Sequence, residues 1–132
     1  VPLAVGLGTA AKLAMDNHET RTQNCLDHQT NCLALADKLG GQLNGAPGKL
    51  APQIMNLSFP GLDSEAVMIG LKGVAAVSNG SACTSASYEP SHVLKAMGLD
   101  QDRVAGAIRF SWSHLTGPVD WDQIETSIRR LM

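Results

Sequence analysis

Aromatic residues are scarce in this 132-residue sequence, which contains two Trp, two Phe and one Tyr. Charged residues make up 17% of it and nearly balance, with ten Lys and Arg against twelve Asp and Glu. A basic surface that could neutralise several phosphates is therefore absent, which argues against direct nucleic-acid binding. No apolar stretch approaches the ~18 residues that a membrane span needs. With 44% hydrophobic residues, the composition predicts one ordered domain, residues 1–132, with a mainly aliphatic core.

Cysteine is also rare. Cys25, Cys32 and Cys83 form an odd set that is spaced too widely for a dense disulfide scaffold. Their number favours a reducing, cytoplasmic setting. The sequence begins with Val1, and no basic segment precedes an apolar one, so a secretory signal is not expected. We therefore expect a cytoplasmic protein, of which this sequence is a fragment or a processed product.

Hydrophobic periodicity predicts helices that alternate with three short strands. Residues Leu3 to Met15 are almost wholly apolar or small, which predicts a helix buried on most sides. A polar stretch at 16–23 interrupts it, and a second helix is expected to extend to Leu39, with two glycines as its stop. Further helices are expected after Asp63 and after Ser91. Thr116, Gly117 and Pro118 indicate a last helix, with Asp120 and Asp122 in its first turn. The strands are expected at Ile54–Phe59, Val74–Val77 and Ala107–Ser113. The fold class is α/β or α+β, a short three-stranded sheet packed with helices behind a long N-terminal helix.

The segment from Ser78 to Pro90 predicts a long exposed loop, because it contains no aliphatic side chain larger than Ala. Structural cysteines usually lie among apolar neighbours, whereas Cys83 lies among small polar ones, where a thiol would be accessible. Loops longer than about 12 residues are uncommon unless they are functional or disordered. A reactive, mobile Cys83 and an unremarkable surface thiol are both compatible with this pattern.

Arg109 lies in the last predicted strand on the face opposite Ile108, Phe110 and Trp112. Its neighbours on that face are small, so the guanidinium has room to bind a carboxylate with two parallel hydrogen bonds. The alternative is an ordinary strand arginine paired with a nearby acid, and the residues alone favour that alternative slightly.

Two other constellations are weaker. His18, Cys25, His28 and Cys32 follow one helical side, but core filling explains the cysteines more simply than a metal does. His92 or His114 could serve Cys83 as a general base, although no spacing supports either. Phosphate-binding glycine loops and a G-x-S-x-G elbow are missing.

The stretch SNGSACTSASYEPSHVL, residues 78–94, closely resembles the signature loop of NifS/IscS-type cysteine desulfurases. The resemblance continues over VPLAVGLGTAAKLA at the start, NLSFPGLDSEAVMIGLK at 56–72 and IRFSWSHLT at 108–116. These segments are similar to the C-terminal part of that family, in the same order. The family belongs to the aminotransferase class V-like enzymes that use pyridoxal phosphate (PLP).

The resemblance implies that 1–132 is the small domain, with a PLP-binding large domain absent from this chain. It implies that Cys83 takes sulfur from L-cysteine as a persulfide, that L-alanine leaves, and that Arg109 holds the substrate carboxylate. A sulfur-acceptor protein would follow in iron-sulfur cluster assembly, tRNA thiolation or DNA phosphorothioation, and the full-length enzyme would be a homodimer. No lysine of this sequence lies in a segment similar to the PLP lysine motif, so the isolated chain is expected to be inactive. Ser113-His114 replaces the family's usual Gly-Arg, and Gly117-Pro118 replaces part of an acidic helix start, which leaves acceptor docking open.

Two alternatives remain at this point. A selenocysteine lyase shares the fold and the chemistry but less of the long loop. A non-enzymatic thiol module, either a redox sensor or a sulfur relay, would use Cys83 without PLP.

Overall fold

The computed structural model describes residues 1–79 and 91–132, which form six helices and a sheet of three strands. The predicted loop around Cys83 lies mostly outside the described residues. The helices are α1 (Pro2–Asp16), α2 (His18–Leu39), α3 (Ser64–Gly70), α4 (His92–Ala96), α5 (Gln101–Ala105) and α6 (Trp121–Arg129). The strands are β1 (Gln42–Leu43), β2 (Ile54–Ser58) and β3 (Ala107–Ser111). No described helix is both long and apolar enough to cross a membrane.

The sheet is antiparallel with the order β1-β2-β3, and β2 is its central strand. Side chains alternate between its faces, so that Met55, Leu57, Ile108 and Phe110 all lie buried in the core. The strands predicted at Ile54–Phe59 and Ala107–Ser113 are therefore confirmed, although both end earlier than expected, and the alternation predicted for β3 is confirmed as well. The opposite face carries polar residues, among them Asn56, Ser58, Arg109 and Ser111.

The prediction of a strand at Val74–Val77 is wrong. The chain turns there instead, because the amides of Val74 and Ala75 both donate to the carbonyl of Leu71 at the end of α3. The sheet is reached one residue after this segment, at Ser78, which forms an isolated bridge with β3. The third strand of the sheet is β1, whose two residues carry no periodic signal.

Helices α2, α3 and α6 cover the core face of the sheet. The helical period predicts one buried arc on α2, made of Cys25, Leu26, Cys32, Leu33, Ala36 and Leu39. Cys25, Cys32, Ala36 and Leu39 are buried, whereas Leu26 is half-buried, Leu33 is exposed and Leu35 lies in the core instead. The expected stop is confirmed, since Gly40 ends α2 in the left-handed conformation with φ of 65°. The polar interruption is wrong in extent, because only Asn17 separates the two helices.

Helix α1 forms where it was expected, but the prediction that it is buried on most sides is wrong. All its residues are exposed, and Leu3 and Leu7 retain 91% and 74% of their accessible surface. The described part of the chain covers none of this helix. Apolar composition predicts that a helix needs a cover, but it does not say whether the same polypeptide supplies it.

Side-chain caps fix the ends of the shorter helices. Asp63 accepts hydrogen bonds from two amides of α3, and Ser91 accepts one from α4, as the sequence predicts. Helix α5 was not expected, and Asp100 caps it. Helix α6 begins at Trp121, and Asp122 lies in its first turn as expected, whereas Asp120 is its cap.

Candidate functional site

Arg109 occupies the centre of β3, and its side chain is exposed on the polar face of the sheet. Its amide donates to the carbonyl oxygen of Ser78 over 2.6 Å, and the amide of Ser78 donates back over 3.2 Å. On the other side of β3, Arg109 is in register with Asn56 of β2. The strand that carries Arg109 is therefore held by backbone pairing on both sides.

The guanidinium of Arg109 has neither a salt bridge nor a hydrogen bond to any residue in 1–79 or 91–132. The four ion pairs in these ranges involve Lys12, Lys38 and Arg129 instead. The alternative in which Arg109 pairs with a nearby acid finds no such acid in the described part of the chain. The backbone-paired strand thus presents a cation that can bind the carboxylate of another molecule.

Cys83, the predicted nucleophile, lies in 80–90, outside the described residues. Hydrogen bonds hold the chain on either side of that range. Ser78 pairs with Arg109, and the side-chain Nδ2 of Asn79 donates to Ser64 Oγ over 3.5 Å. On the far side, Ser91 Oγ accepts a hydrogen bond from the amide of Leu94.

A polar network that the sequence did not predict lies beside Arg109. Arg103 Nη2 donates to Asn44 Oδ1 over 2.7 Å and to the carbonyl of Leu43 over 3.0 Å. Asn44 Nδ2 donates to Asn56 Oδ1 over 2.7 Å and to Ser58 Oγ over 2.6 Å. Ser58 Oγ donates in turn to the carbonyl of Arg103 over 2.6 Å. Asn44 and Ser58 are buried, so this network fixes polar groups in a position where water is largely excluded.

The other two cysteines belong to the core. Cys32 is fully buried, and burial raises the pKa of its thiol to about 12, so it stays protonated and unreactive. Cys25 is also buried. His28 lies instead against Trp112 and Trp121, with ring centroids 6.1 and 6.5 Å away. Within the described ranges, no three His, Cys, Asp or Glu side chains form a group that could hold a metal ion.

The two candidate bases differ in their surroundings. His92 is exposed on α4, whereas His114 is half-buried and lines a cleft together with His18 and Cys25. The role of either as a base for Cys83 stays a prediction, because Cys83 is outside the described residues.

Comparison with known proteins decides the family. The chain is 40% identical over 120 residues to the cysteine desulfurase IscS of Rickettsia bellii, a match that covers 87% of this chain and 28% of that protein. The crystal structure of DndA from Streptomyces lividans is 36% identical, with a TM-score of 0.61, and the match covers 85% of this chain and 31% of that one. The chain corresponds to the C-terminal part of the NifS/IscS-type cysteine desulfurases.

A NifS-like protein from Rickettsia africae has the same fold, with a TM-score of 0.72 at 24% identity over 96% of this chain and 33% of that one. The chain spans between a quarter and a third of the length of the curated desulfurases that it matches. No protein-family model matches it. The predicted fold class and the predicted resemblance are both confirmed by these comparisons.

Cysteine desulfurases are in general PLP enzymes, and the lysines of this chain do not fit a site for that cofactor. All five are exposed: Lys12, Lys38, Lys49, Lys72 and Lys95. Lys12 pairs with Asp16, and Lys38 pairs with Glu125. A Schiff-base lysine has to lie in a closed pocket that excludes water. The described chain therefore offers an exposed arginine on a backbone-paired strand, and none of its five lysines lies in a closed pocket.

Proposed function

We propose that residues 1–132 are the small domain of a PLP-dependent cysteine desulfurase, which converts L-cysteine to L-alanine and retains the sulfur as a persulfide. In this reaction the thiol of Cys83 becomes a persulfide, and cysteine loses one sulfur atom and leaves as alanine, so that atoms and electrons balance without an added oxidant. Arg109 binds the carboxylate of L-cysteine. PLP, which loosens the carbon–sulfur bond, is held mainly by a large domain outside this chain.

The observation that carries this proposal is the guanidinium of Arg109, which has no partner among residues 1–79 and 91–132 although its strand is paired on both sides. A charged group that is held in place without an acid beside it in the described structure suits the recognition of an external anion. A carboxylate provides two acceptor oxygens in the spacing of the guanidinium fork.

The position of Ser78 supports the role of Cys83. Each residue of an extended chain spans at most about 3.6 Å, so five residues allow Cys83 to lie up to about 18 Å from Ser78. Because Ser78 pairs with Arg109, this range includes a substrate bound at Arg109. A thiol within this range can accept sulfur and then deliver it.

The partners follow from the same proposal. They are L-cysteine, a sulfur-acceptor protein and a second copy of the full-length enzyme, in the cytoplasm and without direct contact to nucleic acid. The isolated chain is inactive, because PLP needs residues outside it.

The test uses the full-length protein that contains this chain, with L-cysteine as substrate. We expect alanine release and a persulfide on Cys83 by mass spectrometry, both lost in Cys83→Ser. Arg109→Ala should raise KM for L-cysteine by about tenfold or more, because a hydrogen-bonded charge is lost. Arg130→Ala, which removes an exposed arginine at the end of α6, is the matched control and should change nothing. A persulfide on Cys25 or Cys32, or an unchanged KM in Arg109→Ala, would contradict the proposal.

A further inference from the structure

Asn56 lies directly beside Arg109 on the polar face of the sheet, and its side chain is half-buried. We infer that the amide nitrogen of Asn56 is a second donor to the substrate carboxylate, and that Asn44 and Arg103 orient it. This inference rests on the proposed function and assigns a further binding residue to the same site.

The backbone pairing brings the two side chains close together. In an antiparallel sheet, the N–H and C=O of one residue point to the same side of its strand. Arg109 directs both groups toward Ser78, and the carbonyl of Asn56 accepts from the amide of Asn44 on the far side of β2. Asn56 and Arg109 are therefore a non-hydrogen-bonded pair, in which side chains approach most closely, with Cα atoms about 4.5 Å apart.

The hydrogen-bond network determines which end of the Asn56 amide faces the site. An arginine can only donate, so the group of Asn44 that meets Arg103 over 2.7 Å has to be the carbonyl oxygen. The amino group of Asn44 then faces Asn56 and donates to its Oδ1 over 2.7 Å. The remaining group of Asn56 is Nδ2, which is a donor. Arg103 thus orients the amide of Asn44, and Asn44 in turn orients the amide of Asn56 so that its donor group stays available.

Two donors of this kind define an anion site. The Nδ2 of Asn56 has no hydrogen-bond acceptor among the described residues, and neither has the guanidinium of Arg109. A carboxylate placed between them could accept from Arg109 with one or both oxygens and from Asn56 with a free lone pair. Asn56 is already oriented by its hydrogen bond from Asn44, so it loses little conformational entropy on binding, which favours affinity for the ground-state substrate.

The experiment measures steady-state kinetics of the full-length enzyme with three variants. Asn56→Ala removes the donor, while Asn44 keeps its bond to Ser58. Asn44→Asp keeps an acceptor for Arg103 but presents a second acceptor to Asn56, so the amide of Asn56 turns its oxygen toward the substrate. Both variants should raise KM for L-cysteine by about tenfold with a smaller effect on kcat. Ser111→Ala, on the same face of β3, is the control and should leave KM unchanged.

A double variant separates orientation from a merely structural role. Asn56→Ala combined with Asn44→Asp should raise KM no further than Asn56→Ala alone, because the group that Asn44 orients is already gone. The inhibition constant of L-alanine, which carries the same carboxylate, should rise in parallel with KM. Additive effects, or equal losses in kcat with KM unchanged, would overturn the inference.

The outcomes also distinguish this inference from the proposed function. If Arg109→Ala raises KM and Asn56→Ala does not, the second donor is wrong and the desulfurase site stands. If Arg109→Ala has no effect, the proposed site itself fails.

Discussion

Ser78 and Arg109 form a reciprocal pair of backbone hydrogen bonds, with N···O distances of 2.6 and 3.2 Å, five residues before Cys83 in the sequence. Both residues lie in described structure, so the pair links a predicted binding side chain to the start of the predicted sulfur-carrying segment. Its consequence is that the starting point of that segment is fixed relative to the arginine.

Ser78→Pro removes one of these two bonds, because proline has no amide hydrogen. We expect faster hydrogen exchange of the Arg109 amide and slower persulfide formation in the full-length enzyme, with thermal unfolding little changed. Ser78→Ala keeps the backbone donor and is the matched control. Equal losses in both variants would assign the effect to the serine hydroxyl rather than to the backbone pair.

Cys32 should make stability depend on pH in the alkaline range. Its thiol is fully buried, and burial raises the pKa from 9.0 to about 12. A raised pKa stabilises the fold fully below pH 9, and this contribution is lost as pH rises from 9 toward 12. The loss amounts to at most about 4 kcal/mol, from 1.36 kcal/mol per pH unit.

The measurement is the urea midpoint of the 132-residue chain between pH 8 and pH 11, with Cys32→Ala as the control. Alanine leaves a small cavity, so this variant is less stable at pH 8, but it has no thiol to titrate there. The two curves should therefore converge as pH rises. Curves that stay parallel would mean that Cys32 does not titrate on unfolding as we expect.

Strands β2 and β3 and the caps at Asp63 and Ser91 could be predicted because their signals are local. Alternating burial and a capping side chain are visible within a few residues of sequence. Val74–Val77 has the composition of a strand but turns at the end of α3, since ladder pairing depends on distant residues. Whether other residues pack over α1 also depends on tertiary contacts, which explains why the prediction that this helix is buried was wrong.

The residues of the candidate site also differ in whether their signal is local or depends on distant parts of the chain. The role of Arg109 stays a prediction that rests on its small neighbours and on the family resemblance, and the structure adds only that no acid pairs with it among the described residues. Asn56 was missed, although it alternates with Met55 and Leu57 as a polar-face residue should. Its role depends on the register with β3 and on contacts with Asn44 and Arg103, which are 12 and 47 residues away along the chain. Register is not readable from a single sequence.

Glu125 should contribute to stability at neutral pH and not in acid. Its carboxylate accepts from Arg129 over 2.8 Å and from Lys38 over 2.9 Å, and thereby joins α6 to the end of α2. Hydrogen bonds from Arg129 and then Lys38 lower the pKa of Glu125. A lowered pKa stabilises the fold above the unfolded-state value, and the contribution is lost as pH falls through the folded-state value.

Glu125→Gln should therefore lower the midpoint of thermal unfolding at pH 7 by about 1 to 4 °C and less at high salt. The difference should vanish once the pH has fallen through the lowered pKa of Glu125. Asp122→Asn is the matched control, because Asp122 is 94% exposed and 4.0 Å from Lys38, and its effect should be smaller. A difference that persists in acid would assign the role of Glu125 to packing rather than to charge.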